Sequence, residues 1–421
     1  LISCTFVLSL NDIKRARERI AGGIETTPCL HSARLSERCG AEIFLKAETL
    51  QRTGSFKPRG ALNKLLSLTD DERKCGVVAA SAGNHAQGVA YAASRVGVRA
   101  TIVMPETTPL TKVTRTRDLG AEVRLNALSF DDAVRIATEL RDEHGAILVH
   151  AFNDEQIIAG QGTCGLEILE QVPDLDAVIA PIGGGGLISG IATAIKEQRS
   201  DVEIYGVQSE SAPAMKRSLD GGALTPVDAV STLAEGIAIK RPGDLTFPII
   251  RRLVDDVQLV SEEEIENGVY DLLERGKVLT EGAGAAAYAA LANGRFPQLM
   301  GKRVVIVLSG ANIDLNILGR IIERSLVKQS RLVRLRISIK DRPGGLAALL
   351  QIIANHEANV LHIHHNRIFT RDAFWKTEVE LTLETRDHNH IEELLAVLGE
   401  AGYNDIEELG LRLLPPGQLR A

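Results

Sequence analysis

Aromatic residues make up only 4% of this 421-residue chain, and a single one of them is tryptophan. Basic runs and basic-aromatic interleaving are both missing, and the formal charge of -7 is modest, so nucleic acid is not an expected partner. Cysteine is scarce too. Cys4, Cys29, Cys39, Cys75 and Cys164 are odd in number, scattered, and never in C-x-x-C spacing. That argues against a disulfide framework or a zinc site, and for a reducing cytoplasm. The N-terminal LISCTFVLSL is apolar but short and lacks a basic lead-in. It reads as a lead-in strand or chain edge rather than a signal peptide or membrane span. No low-complexity tract interrupts a composition that is 44% hydrophobic and 24% charged, that of a globular chain with two or three domains.

Between about residue 75 and residue 310, short apolar runs alternate with helical segments. CGVVAAS, RATIVMP, AEVRL, AILVH, AVIAPI, EIYGVQS and RVVIVLS are the strands expected there. Strands interleaved with helices imply parallel βαβ units and open sheets covered on both faces. Several of these runs end in glycine-rich turns, where such sheets place their ligands. Near residue 330 the pattern changes. In RLVRLRISIK, Val333, Leu335, Ile337 and Ile339 alternate with Arg334, Arg336, Ser338 and Lys340, as in a half-buried antiparallel strand. The turn DRPGGL, two amphipathic helices and three further strands complete a βαββαβ order, a small α+β domain with its own core. The boundary is expected at 323–331.

Four short motifs carry chemistry. In SFKPRGA, Lys57 stands between Phe56 and Pro58 at the start of a helical run; a helix N-terminus favours loss of the lysine proton, although an exposed lysine on a turn has the same local sequence. Gly183, Gly184, Gly185 and Gly186, then Leu187, join a strand to a helix. Successive backbone amides there can converge on an anion, aided by the helix N-terminus. The run is neither GxGxxG nor GxxxxGK[ST], which argues against a dinucleotide or a nucleoside triphosphate. In SAGNHAQG, Asn84 either addresses a ligand oxygen or caps its own helix, and His85 reads as structural. In SGAN, Ser309 ends a late apolar strand and either caps a helix or faces the same crevice. An amine, an anion cradle, an amide and a hydroxyl at successive strand ends are what pyridoxal 5′-phosphate requires.

In order and spacing, SFKPRGA, SAGNHAQG, GGGGL and SGAN resemble the fold-type II pyridoxal-phosphate enzymes, in particular the threonine/serine dehydratase (threonine ammonia-lyase) branch. The resemblance covers roughly residues 10–325, and the tail with DRPGGL resembles an ACT-type regulatory domain. It implies a catalytic domain at 1–325, with a small subdomain of about 50–155 inserted in a larger one, and a regulatory domain at 331–421. It also implies that Lys57 forms the Schiff base and then removes the Cα proton, and that Gly183 to Gly186 with Leu187 hold the phosphate. Asn84 would meet the ring oxygen, Ser309 the ring nitrogen, and Phe56 would pack beside the cofactor.

The implied activity is β-elimination of water from L-threonine, and from L-serine, under an amino-acid or nucleotide effector, in a homodimer or homotetramer. Serine racemases of this fold carry a second serine where this chain has Ala82, so dehydration is expected over racemisation. Their cation cluster keeps only Glu210 here, with Lys216 where a carboxylate would stand, so no metal is expected. Racemase or 3-hydroxyaspartate dehydratase activity, and a non-enzymatic amino-acid sensor, are the alternatives. Glu281, Gly236, Phe152 and Asn153 each have a bland packing role beside a possible place in the pocket. His362, His364 and His365 lie along a strand, where alternate residues face solvent.

Overall fold

A computed structural model describes residues 8–228, 231–367 and 375–409. Most of the N-terminal LISCTFVLSL lies outside them. Within it, Ser9 instead caps the helix Leu10–Ile20, exchanging side-chain and backbone hydrogen bonds with Asp12 in a capping box. Ile13, Ala16 and Ile20 recur on one face of that helix and are buried.

The chain forms two compact units, 1–313 and 314–421. In the first, β1 (Cys29–His31) and β2 (Glu42–Ala47) precede a run of parallel strands. These are β3 (Val77–Ala80), β4 (Ala100–Pro105), β5 (Glu122–Ala127), β6 (Ile147–Leu148), β7 (Ala177–Pro181), β8 (Glu203–Ser209), β9 (Asp256–Val260) and β10 (Arg303–Leu308). They form a six-stranded sheet in the order β1-β2-β10-β7-β8-β9 and a four-stranded sheet in the order β5-β4-β3-β6. Only the β1–β2 pair is antiparallel. Each sheet has its own apolar core. Val77, Ala79, Ile102 and Met104 anchor one; Val178, Ile204, Val305 and Val307 anchor the other. The order of the larger sheet jumps from β2 to β10 to β7, and such a switch opens a crevice at the carboxyl ends of its strands.

In the second unit, β11 (Leu332–Lys340), β12 (Asn359–Asn366), β13 (Lys376–Glu384) and β14 (Ile406–Glu408) form an antiparallel sheet in the order β12-β13-β11-β14. Val333, Leu335, Ile337 and Ile339 face its core with Leu349, Ile353, Leu394 and Leu398 from the two helices. The alternation in β11 is thus the alternation of burial. His362 and His364 are exposed on the edge strand β12. Among the described residues no helix is long and apolar enough to cross a membrane.

Candidate active site

Lys57 is the first residue of the helix Lys57–Leu66, with Phe56 at the N-cap and Pro58 in the first turn. Proline is favoured there because its missing N–H would have no intrahelical acceptor. The turn is strapped to the carboxyl end of β10: the Phe56 N–H donates to the Ser309 carbonyl (3.1 Å), and Ser55 bridges to Gly310. Gly88, on the helix Asn84–Val96, lets that helix approach closely, since a Cβ there would stand 2.9 Å from the Lys57 Cβ. The Lys57 Nζ donates to the Ala151 carbonyl at 3.1 Å and lies 4.9 Å from the centre of the Phe56 ring. Burial pulls the amine from 10.5 down to about 8, against the opposing charge of Glu281. About a tenth of it is then neutral at pH 7, against roughly one part in a few thousand for an unperturbed lysine. Beside it the Ser55 hydroxyl, fully buried, has no hydrogen-bond partner among the described residues.

The glycine run joins β7 to the helix Gly186–Lys196. Gly185 is the N-cap at φ 96°, a left-handed conformation that favours glycine, and no side chain caps the helix. The first N–H groups of a helix have no intrahelical acceptor, so they are available to an anion. The Gly184 carbonyl is held by the Thr246 hydroxyl at 2.6 Å and the Gly243 N–H at 3.3 Å, which fixes the tilt of the loop. A Cβ on Gly184 would strike the Phe152 ring. Leu187 is 4% exposed and belongs to the core, so it can offer a ligand only its backbone.

Asn84 does not cap its helix; Gly83 holds that position. Its amide lies between two other polar groups: Nδ2 donates to Glu281 Oε1 at 2.7 Å, and Oδ1 accepts from Asn312 Nδ2 at 2.7 Å. Burial pushes the Glu281 carboxyl up to about 7, opposed by the Asn84 hydrogen bond and by the charges of Lys112 and Lys57. Ser309, 4% exposed, directly follows β10 and caps no helix.

Lys57, Asn84 and Ser309 thus meet around one corner, where β10 and the lysine turn join. The glycine run ends β7, the neighbour of β10 in the same sheet. Phe152 and Asn153 are packing residues. The Phe152 ring lies on the glycine run, and Asn153 Oδ1 accepts from the Leu245 N–H at 2.9 Å. His85 is buried and bonded to the Val149 carbonyl, its pKa pulled to about 3 by burial and by Lys57. Lys216 pairs with Asp220, Glu210 is exposed, and among the described residues no cluster of metal-ligating side chains occurs.

Sequence reading passed over Asn312, although SGAN contains it, and Thr246, which no motif marks. It passed over a third feature as well. Arg59, two residues after Lys57, is fully buried and bidentate to Glu48 (both 2.7 Å) and to Glu167 (2.6 and 2.8 Å). Lys46, also fully buried, completes the cluster on Glu167 at 2.6 Å. Two cations match two carboxylates. Burial alone would raise the Glu48 carboxyl, but Arg59, Lys46 and the Thr27 hydroxyl hold it below its ordinary value.

Residues 20–310 match the family model described as pyridoxal-phosphate dependent enzyme, and residues 333–403 match the ACT domain. The chain is 49% identical over 397 residues to a Thermotoga maritima protein named L-threonine ammonia-lyase, covering 94% of this chain and 98% of that one. It is similar to the crystal structure of T.th. threonine deaminase, at 42% identity and a TM-score of 0.69, over 73% of this chain and 99% of the other. A structure of Dictyostelium discoideum serine racemase aligns at 38% identity and a TM-score of 0.69, over 73% and 99% of the two chains.

Proposed function

The chain belongs to the pyridoxal-phosphate dependent enzyme family and ends in an ACT domain, and from that premise we propose that it is a threonine ammonia-lyase, releasing 2-oxobutanoate and ammonia from L-threonine. The observation that carries this reading is Lys57: an amine at a helix N-terminus, held between Ala151 after β6 and the Ser309 turn after β10, with its pKa drawn down to about 8. The residues around it suit the cofactor. The uncapped helix start at Gly185 and Gly186 leaves N–H groups for an anion, and a side chain on Gly184 would have no room.

Pyridoxal phosphate, when bound, supplies an electron sink that makes the Cα proton of an amino acid removable at neutral pH. Lys57 is the residue that holds it and that accepts the Cα proton on Nζ. The backbone N–H groups of Gly183 to Gly186 and Leu187 take its phosphate, and Phe56 packs beside it. Asn84 Nδ2 has two protons. One is given to Glu281, so the other is left for the ring oxygen. Ser309 offers the ring nitrogen a neutral hydroxyl rather than a carboxylate. That makes a shallower sink and favours prompt loss of the β-hydroxyl as water. Ala82 carries no second proton-transfer group, which tells against racemisation.

We place the catalytic domain at 1–325, with the small subdomain of about 50–155 inserted, and the regulatory domain at 331–421; the two family matches, at 20–310 and 333–403, support this division, whereas the compact units divide earlier, after residue 313. The ACT domain takes a small effector, an amino acid such as isoleucine or valine or else a nucleotide, in a homodimer or homotetramer. A cytoplasmic setting fits the free thiols of Cys29, Cys39, Cys75 and Cys164. The test is to supply L-threonine to the purified protein and measure 2-oxobutanoate, with and without isoleucine, valine and AMP. Production of the oxo acid, with its threonine dependence moved by one effector, is expected. D-serine from L-serine without oxo acid would favour the racemase reading instead.

A further inference from the structure

Asn84 has a carbonyl end and an amino end, and what it can offer a ligand depends on which end faces which neighbour. A chain of donors and acceptors decides this. The Thr53 carbonyl can only accept, so Asn312, whose Nδ2 donates to it at 2.8 Å, must turn its amino end that way. The same Nδ2 also donates to Asn84 Oδ1 (2.7 Å), which places the Asn84 oxygen toward Asn312. The Asn84 amino end then meets Glu281 Oε1 (2.7 Å), an acceptor. Glu281 stands at the N-cap of the helix Gly282–Ala292, but its side chain makes no cap hydrogen bond, so the carboxylate is directed elsewhere than its own helix. Its backbone N–H donates to the Gly310 carbonyl at 3.0 Å, and the Thr280 hydroxyl donates to the same carbonyl at 2.9 Å. Gly310 makes room for the arrangement: a Cβ there would stand 2.8 Å from Glu281 Oε1 and 3.2 Å from Asn84 Nδ2.

We propose that Glu281 is a positioning residue, which together with Asn312 locks the orientation of the Asn84 amide and sets a carboxylate against the turn that carries Lys57. This rests on the reading of Lys57 and Asn84 given above, but it concerns how they are set rather than what they hold. The first half is hydrogen-bond logic. The second half is electrostatic: a Cβ on Gly310 would stand 2.8 Å from Glu281 Oε1 and 3.1 Å from the Ser55 Cβ, so the carboxylate lies against the turn that carries Lys57, where its charge raises the Lys57 pKa against burial and Lys57 in turn lowers that of Glu281. Two further charges bear on Glu281, Lys112 and Glu235, and these are ion-paired with each other at 2.7 Å, so they act on it in opposite senses. His85, on the same helix as Asn84, stays neutral at physiological pH because its pKa lies near 3. The Glu281–Lys57 pair is therefore the one whose removal leaves a net electrostatic change at the amine.

The two halves separate by substitution in the full-length protein stripped of pyridoxal phosphate. Labelling Lys57 with formaldehyde and cyanoborohydride across a pH series, read by peptide mass spectrometry, gives its midpoint. Absorbance titration with pyridoxal phosphate gives the affinity. Glu281→Gln keeps an acceptor for Asn84 but loses the charge, so the midpoint falls below the wild-type value near 8 while affinity stays within about three-fold. Asn312→Ala removes the donor that turns the amide, so affinity drops about ten-fold while the midpoint stays. Glu281→Ala loses both. An unchanged midpoint in Glu281→Gln, or an unchanged affinity in Asn312→Ala, overturns the proposal. These outcomes are distinct from failure of the functional reading, in which wild-type protein would not bind pyridoxal phosphate through Lys57 at all.

Discussion

Two cations on one helix, Lys57 and Arg59, are two residues apart and meet opposite surroundings. Arg59 is wholly enclosed yet fully matched: two carboxylates engage its guanidinium, and Lys46 balances the second of them. Lys57 has a carbonyl and an aromatic ring within reach, and its carboxylate neighbour Glu281 is bonded to Asn84 instead. The same burial therefore gives opposite results. Around Arg59 its effect on Glu48 is overcome by Arg59, Lys46 and the Thr27 hydroxyl, which hold that carboxyl low; around Lys57 it pulls the amine toward neutrality and pushes Glu281 up to about 7. A matched buried cluster fixes structure, whereas an unmatched pair at a crevice is set up for proton chemistry.

Substitution of each cation is the strongest test of this contrast. Lys57→Ala should lower turnover by about 10³-fold or more and leave the melting temperature level or higher, because an uncompensated buried amine is removed. Arg59→Ala should do the reverse. It strands Glu48 and Glu167 and should cost about 3–5 kcal/mol of stability, read by denaturant unfolding. Loss of stability in the lysine variant, or none in the arginine variant, would erase the distinction.

A somewhat smaller effect is expected at the glycine run. Gly184→Ala forces the Phe152 ring aside and should cost about 1–3 kcal/mol, with pyridoxal phosphate affinity falling alongside. Gly97→Ala, at a helix end with open space around it but a left-handed φ of 72°, should cost stability through that conformation yet leave the affinity unchanged, and serves as the control for affinity.

A further effect lies in the pH dependence of stability. His85 has a folded pKa near 3 and an unfolded value of 6.5, so the unfolded chain binds more protons between those limits. Its contribution is complete above pH 6.5 and is lost as pH falls toward 3. Glu48, held below its ordinary 4.5, adds a loss of the same sign at lower pH. His85→Asn should flatten the upper part of that decline, measured as melting temperature against pH.

Sequence made the parallel strands β3 to β8 and β10 legible, because each is a short apolar run with a turn at its end. It missed β1, β2 and β9. β2 holds Lys46 near its end, which reads as a solvated position until Glu167, 121 residues later, is known to lie against it. Arg59 was hidden for the same reason, since its partners Glu48 and Glu167 come from separate segments. Motifs mark residues close in sequence, and Lys57, Asn84, Ser309 and the glycine run were readable as such. The orientation of Asn84 was not, for it depends on Thr53, Asn312 and Glu281 together. In the C-terminal unit, β11 was plain because burial follows the alternation of its side chains.

Borohydride reduction of the full-length protein loaded with pyridoxal phosphate, followed by digestion and mass mapping, bears most directly on the role given to Lys57. One phosphopyridoxyl group on the peptide that carries SFKPRGA is the expected result. A group on another lysine, or an unmodified protein after reduction, would contradict it.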